Sequence, residues 1–166
     1  MKILSVMGVL FLLQDSDLPQ LAEIRIMYHD SSNSAKANQE LHQVLKQNRP
    51  LMSPEMEGYF AMSYFLMSKY AFNPFKKFEH FTNGKVLMDS IIHAEPENIE
   101  LRYLRNMVQI KLPSILDYDI NIDEDRRFIN NNASKIKDAQ LRSMIEVYYK
   151  EFEKYFEKRK RNQSDG

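Results

Sequence analysis

The chain has 166 residues, of which 43% are hydrophobic, so it is long enough for one domain with its own core and too apolar for an intrinsically disordered protein. Its 23 basic and 23 acidic residues balance, which argues against nucleic acid or another polyanion as the principal partner. Cysteine is absent, which excludes disulfides, thiol nucleophiles and thiolate zinc sites, and four glycines are few for a β-rich fold.

The first residues have the design of a secretory signal. Met1 and Lys2 precede Ile3–Leu13, an almost unbroken apolar run of about eleven residues. One basic residue before such a run is typical of export signals, and the run is too short to span a bilayer. Small residues that would mark a cleavage site are missing from its end. We expect residues 1–14 to be a signal peptide or membrane anchor, with membrane contact through Met1–Leu13; the alternative is a buried helix of a cytoplasmic protein.

Seven segments of the chain have apolar residues at helical spacing, bounded by cap and stop residues. These predicted helices cover residues 18–29, 35–47, 54–71, 75–93, 97–110, 123–132 and 135–160, and residues 114–120 are predicted to be irregular. The third helix has the clearest start signal, a Ser53 cap followed by Pro54 and Glu55. It is apolar around most of its circumference, so we expect it to be the central and most buried helix. Residues 15–161 are predicted to form one helical domain, followed by a tail over residues 162–166.

The fourth predicted helix contains a glycine near its middle. Asn83 and Gly84 fall between two apolar stretches of the same helical period. Glycine in a helix interior costs about 1 kcal/mol relative to alanine. Either the helix breaks at this position or Gly84 permits close packing against a neighbouring helix.

Part of this region resembles a known helical repeat. Four residues have the spacing of small, large apolar and proline positions in the second helix of tetratricopeptide repeats: Gly84, Met88, Ile91 and Pro96. The phrase HAEPENIELRYL resembles a junction between two such repeats, although Ile91 replaces the usual alanine. The resemblance covers roughly one repeat, and it implies an all-α fold of antiparallel helical hairpins, a tetratricopeptide-like α-solenoid fragment. The wider sequence also resembles a group of uncharacterised small exported bacterial proteins, a resemblance that implies no activity.

An acidic stretch has oxygen-bearing side chains at every second position. These are Asp117, Asp119, Asn121, Asp123 and Asp125. Calcium loops of the EF-hand type use this spacing, because calcium prefers six to eight oxygen ligands. The glycine of the loop's sharp turn and its bidentate glutamate are both missing here. We therefore interpret the stretch as an acidic cap on the helix that follows, and predict no metal site.

Two arginines lie on a predicted helix whose other faces are apolar. Arg102 and Arg105 are three residues apart and so share one side of the helix. Their guanidinium groups could clamp a carboxylate or a peptide terminus of a ligand. The alternative is structural: they pair with the acidic stretch, in a cluster with Asp117 and Asp119, and hold it on the hairpin.

No motif in the chain predicts catalysis or a cofactor. The four histidines show no metal-ligand spacing, phosphate-binding loops are absent, and the basic run Lys158–Arg161 is typical of a helix C-terminus. We therefore predict a non-enzymatic helical-repeat protein of the bacterial envelope that binds a protein or peptide partner. The alternatives are a cytoplasmic adaptor of the same fold and an enzyme using acids such as Glu100 and Asp117 in a helical cleft.

Overall fold

The computed structural model describes residues 18–164, and side chains over residues 18–157; within this part the chain is helical and has no strand. Its α-helices are α1 (Leu21–Ser31), α2 (Ala35–Gln47), α3 (Pro54–Tyr70), α4 (Pro74–Ala94), α5 (Ile99–Lys111), α6 (Ile122–Asn132) and α7 (Ala139–Ser164), with 3₁₀ turns at Arg49–Leu51, Ser114–Leu116 and Ala133–Lys135. The predicted all-α class is confirmed, and the packing is compatible with helical hairpins. The predicted signal or anchor segment, residues 1–14, lies outside the described residues. Among the helices of the described part, none has the length and apolar character needed to cross a membrane.

Side-chain caps set most helix starts. The Ser53 hydroxyl accepts a hydrogen bond from the Met56 amide at the start of α3, as the sequence indicated. The predicted start of the last helix at residue 135 is wrong. The Asp138 carboxylate caps α7 by accepting the Leu141 amide at 3.0 Å, so the preceding residues form a separate 3₁₀ turn.

Glycine allows α3 and α4 to pack closely. Helix α4 runs without a break through Gly84, where a Cβ would lie 3.1 Å from the carbonyl oxygen of Ala61 and 3.2 Å from the Phe65 ring. Of the two alternatives for this glycine, close packing is therefore the correct one. Gly58 serves α3 in the same way on its other side, where a Cβ would lie 2.5 Å from a methyl group of Leu101 in α5.

The helices form two layers. Helices α1, α3, α5 and α7 contact one another in chain order within one layer, while α2, α4 and α6 each pack against the odd-numbered helix before them. The expectation that the third helix is the most buried is wrong, because α5 is buried over more of its length. Helix α5 buries charged and amide side chains, including Glu100 and Arg105, and such groups are tolerated in a core only when they are paired. Those pairs define the surroundings of the candidate site.

Candidate functional site

Both predicted arginines bind one buried carboxylate in α6. The Nε and Nη2 atoms of Arg105 each donate to an oxygen of Asp125 at 2.7 Å, in a bidentate pair. Arg102 donates from Nη1 to Asp125 at 2.9 Å and to Glu124 at 2.8 Å, and its guanidinium lies over the Phe128 ring. The Arg102 hydrogen bond lowers the pKa of Glu124. These contacts attach α6 to α5.

Asp117 and Asp119, the other two members of the predicted cluster, lie elsewhere. Within the described residues neither of them forms an ion pair with Arg102 or Arg105. They flank Tyr118, which is buried and donates its hydroxyl proton to Asp89 of α4 at 2.8 Å. The loop is therefore attached through its tyrosine, while the arginines reach past it to the first turn of α6.

A second buried ion pair connects α1 to α5. Arg25 donates from Nε and Nη2 to the two oxygens of Glu100 at 2.8 and 2.6 Å, and the Tyr59 hydroxyl donates to Glu100 at 2.8 Å. Arg25 also donates to Asp138 at 2.7 Å, the residue that caps α7. Arg25 was not among the predicted site residues, although it lies four residues after Leu21 and three before Tyr28 on the apolar stripe of α1.

The electrostatics of this cluster favour a structural role over acid–base chemistry. Burial acts to lower the pKa of Arg25, but its hydrogen bonds with Glu100 and Asp138 outweigh burial and raise it above the ordinary value. Burial, followed by the charge of Glu100, raises the pKa of Tyr59 well above its ordinary value, so the phenol remains a donor. Both oxygens of Glu100 are occupied by donors and its side chain is buried. The cluster thus joins α1, α3, α5 and the start of α7.

An open groove of about 680 Å³ begins beside Arg25 and runs between α1 and α7 over α5. Its walls carry two apolar side chains that are largely exposed, Ile26 of α1 at 57% and Val147 of α7 at 64%. Its floor includes Tyr103 and Met107 of α5, both buried. An exposed apolar lining of this kind is characteristic of a binding surface.

The two ends of the groove differ. At the Arg25 end, α1 and α7 approach each other, because Gln140 accepts from Arg25 at 2.9 Å and donates to the Ala22 carbonyl at 3.2 Å. At the other end lie Lys111 and Glu151, which are exposed and of opposite charge. The lining also includes Met144 and the polar side chains of His29, Ser32, Asn33 and Ser143, so the groove is polar at both ends and of mixed character between them.

Metal ligands do not converge in the described part of the chain. No group of three or more histidine, aspartate or glutamate side chains there could hold a metal ion. The acidic stretch is divided, since Asp117 is exposed in a left-handed conformation with φ 47° and Asp125 is buried against the arginines.

Comparisons with models of known protein families, with curated proteins and with solved structures find no match to this chain.

Proposed function

We propose that this chain is a non-enzymatic, tetratricopeptide-like helical-repeat protein that binds an apolar helical segment of a partner protein. The observation that carries the proposal is the groove between α1 and α7, whose walls expose Ile26 and Val147 to solvent. Exposed apolar side chains gathered in one groove indicate an interaction site more strongly than single ones scattered over a surface.

The order of helix contacts supports the repeat architecture. Helices α1, α3 and α5 each pair with the even-numbered helix that follows, and the odd-numbered helices also stack on one another in chain order. Tetratricopeptide repeats stack in this way, with the first helix of every hairpin on the inner face. Gly84, at a small-residue position of the resemblance, makes the close contact with α3 that such a position requires. On this proposal, the groove lies on the inner face of a short solenoid.

The dimensions of the groove favour a helix as the ligand. Its α7 wall extends from Gln140 to Glu151, which corresponds to about 16 Å at the helical rise of ~1.5 Å per residue. An amphipathic helix of about three turns would place apolar side chains at i, i+4 and i+7 along this length. Its polar ends would meet Gln140 at one end of the groove and the pair Lys111 and Glu151 at the other.

We also propose that the protein is exported to the bacterial envelope. The support is the sequence of residues 1–14, in which one lysine precedes a short apolar run. Fractionation of the tagged full-length protein from a bacterial host tests this. Recovery with the periplasm or membranes is expected. Recovery as a detergent-free cytoplasmic protein would favour the adaptor alternative, with residues 1–13 as a buried helix.

Site-specific photo-crosslinking tests the groove. A photoreactive amino acid at Val147 should give one dominant product from native membranes, whereas the same group at Val86, equally exposed on α4, should not. Ile26→Asp should lower the yield at Val147 about tenfold or more, because a charge then faces the apolar ligand surface. The melting temperature of the Ile26→Asp variant should stay near that of the wild type, since Ile26 is exposed.

Two results would contradict the groove proposal. One is equal crosslinking from Val147 and Val86. The other is a yield at Val147 that Ile26→Asp does not change. A helical peptide from the captured partner should also compete with the crosslink, and failure to compete would exclude a helical ligand.

A further inference from the structure

A row of phenylalanines becomes steadily more exposed from the core to the turn between α3 and α4. Phe81 is 5% exposed, Phe78 is 63%, Phe75 is 86% and Phe72 is 102% exposed. We call Phe72, Phe75 and Phe78 the phenylalanine tip. Large aromatic side chains are normally buried, so three exposed rings in one short segment indicate an interaction surface.

The backbone of the tip is capped at the start of α4. Asn73 caps α4 by accepting the amides of Phe75 at 2.9 Å and Lys76 at 3.2 Å, which fixes the turn. The Phe78 ring contacts that of Phe81, which in turn packs against Phe65 of α3. Phe78 therefore continues the core outward, and Phe72 and Phe75 extend beyond it at the end of the closely packed α3–α4 hairpin.

The charges around the tip are mainly positive. Within residues 69–79 there are three lysines, Lys69, Lys76 and Lys77, and one acidic residue, Glu79, which pairs with Lys76 at 2.8 Å. At the adjoining end of α1, the exposed Asp30 adds one further negative charge, so the lysines are still in the majority. Lys69 also donates to the carbonyl of Ser32 at the end of α1. Exposed aromatic rings flanked by lysines match the two layers of a membrane surface, because the rings suit the apolar interior and the lysines suit the anionic headgroups.

We propose that the phenylalanine tip inserts into the interfacial region of an anionic lipid bilayer. A second copy of the chain is a poorer occupant. Three phenylalanines bury about 750 Å² per copy at most, less than the ~800 Å² per partner of a standard protein interface, and the lysines beside the two tips would repel each other.

This inference is independent of the groove and of the N-terminal segment. The tip lies beside the C-terminal end of α1, because the Tyr70 hydroxyl donates to the carbonyl of Ser31 at 2.8 Å. A reporter placed in the tip therefore measures contact of the tip itself with a membrane.

Tryptophan fluorescence of the full chain tests the proposal, because the chain contains no tryptophan of its own. Phe75→Trp places a reporter in the tip, and Val86→Trp places a control further along α4, where the side chain is 63% exposed. On addition of vesicles with about 30% phosphatidylglycerol, the emission from position 75 should shift to shorter wavelength and be quenched by brominated lipid. The emission from position 86 should not change.

Further variants separate the contributions of rings and charges. In the Phe75→Trp background, Phe72→Ser with Phe78→Ser should weaken vesicle binding about a hundredfold, at about tenfold per ring. Lys77→Gln should weaken binding to the anionic vesicles about fivefold and leave binding to pure phosphatidylcholine unchanged. Circular dichroism should show wild-type melting, because all three side chains are exposed.

Three outcomes would overturn the proposal. The first is unchanged emission from position 75 with vesicles, whether the protein stays in solution or binds through its N-terminal segment alone. The second is a vesicle-induced emission shift at position 75 that the serine variants do not weaken. The third is a shift that grows with protein concentration without lipid, which would identify a second copy as the occupant.

Discussion

Truncation of Arg105 should strongly destabilise the fold. Arg105 and Asp125 are 7% and 0% exposed, and two hydrogen bonds of 2.7 Å join them. In Arg105→Ala, the buried carboxylate keeps only the single 2.9 Å bond from Arg102. Removing one partner of a buried ion pair costs about 3–5 kcal/mol, and we expect about 3 kcal/mol here because the remaining bond retains part of the pairing.

The neighbouring arginine should matter less. Arg102→Ala leaves both bonds from Arg105 to Asp125 intact. It removes the third bond to that carboxylate, the bond to the Pro96 carbonyl, and the contacts with the exposed Glu124 and the Phe128 ring. We expect a loss of about 1–2 kcal/mol. The matched control is Lys76→Ala, which breaks an exposed pair and should cost under about 1 kcal/mol.

Urea unfolding followed by circular dichroism measures these free energies. A loss of about 3 kcal/mol is a large part of the ~5–15 kcal/mol stability of a typical domain, so the midpoint should shift clearly. The reasoning is refuted if Arg105→Ala loses less than about 1 kcal/mol, or no more than Lys76→Ala. Either result would mean that Asp125 does not depend on Arg105 for its pairing.

Two other expectations concern packing and pH. Gly84→Leu should lower the free energy of unfolding by about 2–3 kcal/mol in the same assay, because the leucine side chain would overlap Ala61 and Phe65. The control Val86→Leu, on the exposed side of α4, should be neutral. Equal effects of the two variants would exclude a close contact at Gly84. Burial lowers the pKa of His42 in the folded protein, so near the ordinary pKa of 6.5 the unfolded chain takes up a proton more readily than the folded one. The stability of the fold above pH 6.5 should therefore fall as the pH drops through that value. His42→Gln should reduce this loss between about pH 8 and pH 5.5, and an unchanged pH profile would show that other groups cause it.

Local patterns in the sequence determined the helical class and several helix starts. The Ser53 cap with Pro54 predicted where α3 begins, because capping requires only residues one to three positions away. The same kind of reasoning failed for α7. The predicted helix began at residue 135 and therefore included Asp138. In the structure a separate 3₁₀ turn precedes Asp138, so this residue lies just outside α7 and caps it.

Close approach between helices was only half determined by the sequence. Gly84 indicated either a break or a tight contact, and the choice depends on where α3 lies relative to α4. Likewise, the arrangement of α1 and α7 that forms the groove involves residues more than 100 positions apart, such as Arg25 and Gln140. No local spacing in the chain carries that information.

The ion pairs show the same division between local and tertiary information. The sequence determined that Arg102 and Arg105 share one helix face and need acidic partners, because a buried guanidinium must be paired. Only the tertiary structure decided that the shared partner is Asp125, because α6 brings this carboxylate against α5. It also decided that Arg25 pairs with Glu100, 75 residues away. Charge and helical period are properties of neighbouring residues, whereas the choice among several acids depends on how the helices pack.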